Sequence, residues 1–422
     1  MKTYLSILFI GFSLFANAQN KIVGKITDTK NNPLFGVEVY IEDLQKGTST
    51  NEEGIYQVQN LPNTPIKIIV SFIGYVTETK IMNLKNNETT LNFSLDEAVF
   101  KMDEIIVSTA FNKLQSQNVM KVDHESIKSL QQKGTSTLIE GLATIPGVSQ
   151  VSTGTSIGKP VIRGLSGNRV LVYSQGVRIE NQQFGDEHGL GLNDAGVESV
   201  EVIKGPASLL YGSDALGGVL YFNPEKFATA NTLSSNFEQK LFSNTLGSNS
   251  SLGLKTSSEN WKFIGRGSYN THSDYKVSNG DRVTNTRYNE TDFKAGIGYQ
   301  NSKISSVLRY NYNKLDLGIP EEGVAEQTKN KKTTYPKQGV FNNLLSLNNI
   351  FFFQNTKLDV DLGYIANDRS EFEDSELAVL HMKLNTFNYN AKFHFPKFGK
   401  IESIVGIQGM HQTNKNFGEE YL

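Results

Sequence analysis

The chain has 422 residues, a formal net charge of −2 and no cysteine. The near-neutral balance gives no basic excess for nucleic acid or a polybasic membrane surface. The missing cysteines exclude disulfides, thiolate catalysis, Cys-bound metals and a lipid anchor on a processed Cys. No run of 18 apolar residues follows the N-terminus, so helices do not span a membrane here. Aromatic residues make up 10%, with 25 Phe and 17 Tyr against one Trp, a mix that suits long antiparallel strands.

Residues 1–18 read as a secretory signal. Lys2 gives the positive start, Tyr4 to Phe15 the short apolar stretch, and Ala16-Asn17-Ala18 the cleavage site. An exported chain of this size without disulfides fits a bacterial envelope. Residues 21–95 alternate in short runs such as "KIVGKITD" and "GVEVYIED". Turn signals recur at roughly ten-residue spacing, which predicts about seven strands in a small β-sandwich. Pro33-Leu34, Gly36-Val37, Gly47-Thr48 and Gly54-Ile55-Tyr56 resemble the carboxypeptidase-regulatory-like, transthyretin-type sandwich. That resemblance implies a fold and no activity. The metallopeptidase patterns H-x-x-E and H-E-x-x-H are absent from the sequence.

The next stretch, "DEIIVSTA", comprises Asp103, Glu104, Ile105, Ile106, Val107, Ser108, Thr109 and Ala110. One reading is a further short strand or a linker. The other is a peptide that adds a strand to a partner's sheet edge. In residues 119–225, "STLIEGLATIPGV" predicts a short helix with Leu138, Leu142 and Ile145 on one face, ended by Pro146-Gly147. Three strands and a Gly-rich turn follow.

This block resembles the plug domain of TonB-dependent outer-membrane receptors. The resemblance is carried by Pro146-Gly147-Val148, Arg163-Gly164, Asn168-Arg169-Val170 and Gly176-Val177-Arg178. It continues through Val200 to Gly205-Pro206, Leu210-Tyr211-Gly212 and Ala215-Leu216-Gly217-Gly218-Val219. Arg163, Gly164, Arg169, Gly205, Pro206, Tyr211, Gly212, Gly217 and Gly218 are its structural markers. Within that resemblance, residues 103–110 sit where the family keeps its TonB box, between sandwich and plug. The implied partners are TonB, with its inner-membrane energising complex, the outer-membrane lipid and a small-molecule or metal-chelate ligand. The implied place is the bacterial outer membrane, with the sandwich in the periplasm. No catalytic residue and no resident cofactor are expected.

From residue 226 the pattern changes to long alternation. Phe387, Tyr389, Ala391, Phe393 and Phe395 share one parity, and Asn388, Asn390, Lys392 and His394 the other. Runs of this length repeat about nine times, which predicts transmembrane β-strands with apolar-out, polar-in alternation. The fold class expected is mainly β: a transthyretin-like sandwich, an α+β plug and an incomplete antiparallel transmembrane barrel. Transporters of this kind use about 22 strands around a plugged lumen, roughly 400 residues or more at about 10 per strand plus loops. Residues 226–422 suffice for about nine, so the expectation is the N-terminal part of a longer protein.

Gly154-Thr155-Ser156-Ile157-Gly158 has the form of a nucleophile elbow, but Lys159-Pro160 and a strand follow where a helix is needed. A polar turn is the better reading. The ligand candidate is the loop 180–194, with Gln182, Gln183, Asp186, Glu187 and His188. Adjacent side chains diverge, so Asp186, Glu187 and His188 would hold a metal only with help from barrel loops. A solvated loop is the competing reading. A secreted binding or adhesion protein remains the alternative function.

Overall fold

The computed structural model describes residues 20–84, 88–98, 106–108, 115, 122–180, 188–212, 214–320, 326–399 and 401–419. The expected signal segment 1–18 lies outside the described residues. The sandwich is built from β1 (Asn20–Asp28), β2 (Glu38–Ile41), β3 (Lys46–Ser49), β4 (Ile55–Leu61), β5 (Pro65–Ser71), β6 (Glu78–Asn83), β7 (Glu88–Thr90) and β8 (Phe93–Leu95). That is one strand more than the spacing predicts. β4, β1, β7 and β8 form one sheet, and β3-β2-β5-β6 the other. Alternation places Ile22, Ile26, Val37, Val39, Ile66 and Ile68 between them, all buried. A 3-10 turn, Glu42–Leu44, leaves the end of β2, with Gln45 in the left-handed region at φ 45°.

The middle block is a five-stranded sheet beside a small hairpin. β9 (Val122–Ser126) leads into a short helix, Ile127–Gln131, capped by the Ser126 side chain. The predicted helix is present but shorter, as Leu138–Leu142, and ends before Ile145 and Pro146-Gly147. Thr137 and Glu140 close a reciprocal capping box at its start. Leu138, Leu142 and Ile145 are all buried in the core beneath it. β10 (Val148–Gly154) and β11 (Ile157–Ile162) pair as a hairpin whose turn is Thr155-Ser156, so the elbow-like motif is a turn between two strands. β12 (Val170–Ser174), β13 (Val177–Ile179), β14 (Val197–Ile203) and β15 (Gly218–Pro224) complete the sheet, in the order β13-β12-β15-β14-β9. β12 and β15 run parallel. A Cβ at Gly217 would lie 2.9 Å from Val170 Cγ2, and one at Gly218 2.5 Å from Ile203 O. These two glycines let β15 enter between β12 and β14.

Nine antiparallel strands follow, each paired with its sequence neighbours. They are β16 (Thr232–Phe242), β17 (Gly247–Ser257), β18 (Trp261–His272), β19 (Tyr288–Gln300), β20 (Ile304–Gly318), β21 (Lys337–Phe352), β22 (Lys357–Phe372), β23 (Leu380–His394) and β24 (Ile404–Asn416). Their lengths, 11 to 16 residues, exceed the average soluble strand. Burial is inverted relative to a soluble sheet. Leu233, Phe237, Phe263, Phe293, Tyr364, Phe387 and Tyr389 are exposed, whereas Lys262, Arg266, Glu290, Asp292, Arg309 and Arg369 are buried. An apolar exterior around a polar interior is the pattern of a barrel wall in lipid.

The connections 258–260, 301–303, 353–356 and 395–403 lie at one end of the wall, and 243–246, 273–287, 319–336 and 373–379 at the other, which carries the two longest. The long connection 273–287 is pinned by a buried pair. Arg287 Nη2 lies 2.7 Å from Asp274 Oδ2, with the two side chains 1% and 0% exposed.

Candidate functional site

The middle sheet has two faces because side chains alternate. Val200 and Val202 of β14 point into the core against the helices. Glu201 and Ile203 point to the opposite side, together with Leu171 and Tyr173 of β12 and Val219 and Tyr221 of β15. On that face lies the described part of the partner-strand candidate. Ile106 is fully buried among Val122, Leu171, Ile203, Ala215 and Val219. Two consecutive backbone groups then meet one carboxylate. Val107 N–H donates to Glu201 Oε1 at 3.0 Å, and Ser108 N–H to Glu201 Oε2 at 2.8 Å. Asn223 Nδ2 also donates to Oε1, at 2.8 Å. The Tyr211 hydroxyl donates to Ser108 O at 2.6 Å.

Glu201 is 0% exposed, so its oxygens depend on these donors for their hydrogen bonds. Successive N–H groups make a natural anion cradle. Tyr211 packs edge-on to Tyr173 at 4.8 Å, and burial pushes the Tyr211 phenol well up. Burial likewise pushes the Tyr173 phenol up to about 12. Both stay neutral, and Tyr211 keeps the proton it donates. Residues 106–108 are not in a strand here. Asp103, Glu104, Ile105, Thr109 and Ala110 lie outside the described residues.

The ligand candidate is at the other end of the block. Gln182, Gln183, Asp186 and Glu187 lie outside the described residues. His188 is buried, 1% exposed, and its Nε2 lies 2.8 Å from Glu371 Oε1 near the long-loop end of β22. Gln338 Nε2 donates to the same oxygen at 2.6 Å. Burial lowers the imidazole's proton affinity more than Glu371 raises it, so the ring is neutral and Nε2–H donates. His188 thus ties the end of the loop to the wall. Glu180, at the loop's start, is buried and paired with Arg178, which also reaches Asp214 at 3.0 Å. Among the described residues, no three His, Asp or Glu side chains come together to hold a metal. His272, His381 and His394 each have a polar partner, Asn249, Asp368 and Asp359 respectively.

The plug markers fall at turns and close approaches. Arg163 and Gly164 take φ of 52° and 80°, and Gly205 and Gly212 also have positive φ. Gly205–Tyr211 is a 3-10 turn, which presents Tyr211 to Ser108. Arg169 O accepts from Gly217 N–H at 2.8 Å. Glu201 was not among the sequence candidates. Its signal is the second charge of the β-run "VESVEVI", at the parity opposite to Val200 and Val202.

Two family models match: the TonB-dependent Receptor Plug Domain over residues 114–219 and the CarboxypepD_reg-like domain over residues 22–107. The vitamin B12 transporter BtuB of Vibrio vulnificus is 32% identical over 120 residues, covering 28% of this chain and 19% of the relative. The TonB-dependent receptor SusC of Bacteroides thetaiotaomicron is 27% identical over 235 residues, 52% of this chain and 22% of the relative. The siderophore receptor PirA of Acinetobacter baumannii has the same fold, with TM-score 0.55 at 16% identity over 74% of this chain and 50% of that one. The matched part is thus about a fifth of these sequence relatives and half of the solved receptor. The chain thus carries, in order, a CarboxypepD_reg-like domain and a TonB-dependent receptor plug domain, with an inside-out wall behind them and TonB-dependent receptors among its relatives.

Proposed function

We propose that the chain serves TonB-dependent import of a scarce ligand across the outer membrane, with segment 103–110 as the TonB box. The observation that carries this reading is the docking of Ile106–Ser108 on the plug sheet, through backbone groups alone apart from Ile106. A peptide held by its N–H and C=O groups can be exchanged for a partner's sheet edge, which offers the same groups. The domain limits follow: signal 1–18, sandwich 21–95, plug 119–225 and barrel wall from 226. The sandwich lies at the short-turn end of the wall, which in bacterial barrels is the periplasmic end.

The ligand ordering we favour is iron chelate, haem, then another transition-metal complex. The siderophore receptor of the same fold is the support for placing an iron chelate first. Gln182, Gln183, Asp186 and Glu187 would meet the ligand, with His188 anchoring the loop end. No covalent chemistry is required, so the chain is a transport component rather than an enzyme.

The test uses the full chain in outer-membrane vesicles and the purified C-terminal domain of TonB as bait. Capture that is lost on Val107→Pro, which removes the N–H a strand needs, supports the reading. Equal capture with and without that change refutes the box assignment. Recovery of the chain in the soluble periplasmic fraction would favour a secreted binding protein. For the ligand, haem and ferric chelates are competed on the parent and on Asp186→Ala/Glu187→Ala/His188→Ala; unchanged binding removes the loop from the site.

A further inference from the structure

The sandwich does not merely precede the plug. Its Glu42–Leu44 turn enters the wall at the short-turn end. Asp43 Oδ1 lies 2.6 Å from Lys357 Nζ, on the first residue of β22. Leu44 O accepts from Lys262 Nζ, on the second residue of β18. Beside the turn, Lys46 Nζ lies 2.7 Å from Glu259 Oε2 in the connection 258–260, and its side chain is 3% exposed. Farther in, Arg309 Nη2 reaches Gln45 Oε1 at 3.4 Å and Glu225 O, at the plug's end, at 3.2 Å. Sandwich, plug and wall therefore meet at one guanidinium. Ile350 and Phe352 of β21 pack against the sandwich core.

The chemistry of this contact suits a part that leaves. It is mostly ionic and polar, unlike the apolar interface of permanently joined bodies. It also buries Glu42 Oε2 with no hydrogen-bond partner among the described residues. Such a buried, unmatched acceptor raises the energy of the docked state, and water satisfies it on release.

We propose that the sandwich is a second closure of the conduit, in series with the plug: a cap on the short-turn mouth, clasped by Asp43–Lys357 and Lys46–Glu259, with docked and released states. It rests on the wall being a barrel wall and requires no TonB contact, so it can fail while the import reading stands, and the reverse.

The test exploits a chain without cysteine. Ser305→Cys places a thiol inside the wall, at a site 3% exposed and in register with Ile350. The full chain in bicelles is treated with a charged, membrane-impermeant thiosulfonate. The parent reporter should label slowly. Asp43→Lys or Lys357→Asp alone should speed labelling at least about tenfold, since breaking a shielded ion pair leaves an unmatched charge. The double change Asp43→Lys/Lys357→Asp should restore slow labelling to within about threefold. Single variants that label at the parent rate overturn the proposal, as does a double variant as fast as the singles.

A second measurement guards against misfolding. A Cβ at Gly47 would lie 3.9 Å from Thr229 Cγ2, and Ala230 N–H donates to Gly47 O at 3.0 Å, so the two positions are neighbours. Gly47→Cys/Thr229→Cys, without the reporter, should cross-link with a short bismaleimide. Failure to cross-link in the otherwise unchanged chain overturns the docked state itself.

Discussion

Replacing Glu201 by Gln should free the docked segment while leaving the plug folded. The carboxylate accepts from two consecutive backbone N–H groups at 3.0 and 2.8 Å. Hydrogen bonds to a charged group contribute about 1.5–3 kcal/mol each. Gln keeps one acceptor oxygen, without charge, and turns its amide toward a second N–H that then has no acceptor. Losing one such bond and weakening the other costs about 2–4 kcal/mol, or roughly a 30- to 1000-fold shift toward the undocked segment. Ser108 offers the reporter. It is 6% exposed, and its hydroxyl has no hydrogen-bond partner among the described residues, so Ser108→Cys sacrifices no side-chain bond. Maleimide labelling of Cys at this site tracks the open fraction. The expected rise on Glu201→Gln is about 30-fold or more. Tyr211→Phe, which removes one neutral donor to Ser108 O, should give about fivefold. Rates within twofold of the Ser108→Cys parent in both variants would refute the clamp.

Three further outcomes follow from the same geometry. Asp274→Ala should strand the buried Arg287 charge and cost about 3–5 kcal/mol locally; limited proteolysis should then cut within 273–287, a segment resistant in the parent. Burial first, and Asp43 next, hold the Glu42 carboxyl up at about 7 against an ordinary 4.5. The docked sandwich thus favours the protonated acid, so docking is strongest below pH 4.5, weakens as pH rises toward 7 and is flat above. A fluorophore–quencher pair placed at positions 47 and 229 and followed across that range should show the decline, and Glu42→Gln should abolish it. Phe387→Lys, on the exposed apolar face of β23, should cost about 2–4 kcal/mol at mid-bilayer, read as a lower urea midpoint in lipid vesicles; an unchanged midpoint would refute the lipid contact.

The wall was legible because its signal is local. Phe387, Tyr389 and the alternating Asn and Lys residues state their faces through parity alone, and β23 has the predicted register of inside and outside. The sandwich and the Leu138–Leu142 helix were legible for the same reason, through turn residues and the shared face of Leu138, Leu142 and Ile145. Glu201 was not. Its partners, Val107 and Ser108, are more than ninety positions away, and a charge in a β-run ordinarily marks a solvated edge. His188 gives the opposite lesson. A Gly-rich polar loop predicts solvent, yet the ring is buried because Glu371, on β22, stands across from it. The cap contact was hidden likewise, since Asp43 and Lys357 are joined only by topology.

The order of the wall has a kinetic consequence. Every strand from β16 to β24 pairs with the strand before or after it in the sequence. Such a sheet can zip up hairpin by hairpin, with small loops to close at each step. Each added hairpin presents its aromatic face at once, before the next exists. In water that face is a template for aggregation. At a lipid surface it is what holds the growing sheet in place, so membrane entry and strand pairing become one process rather than two.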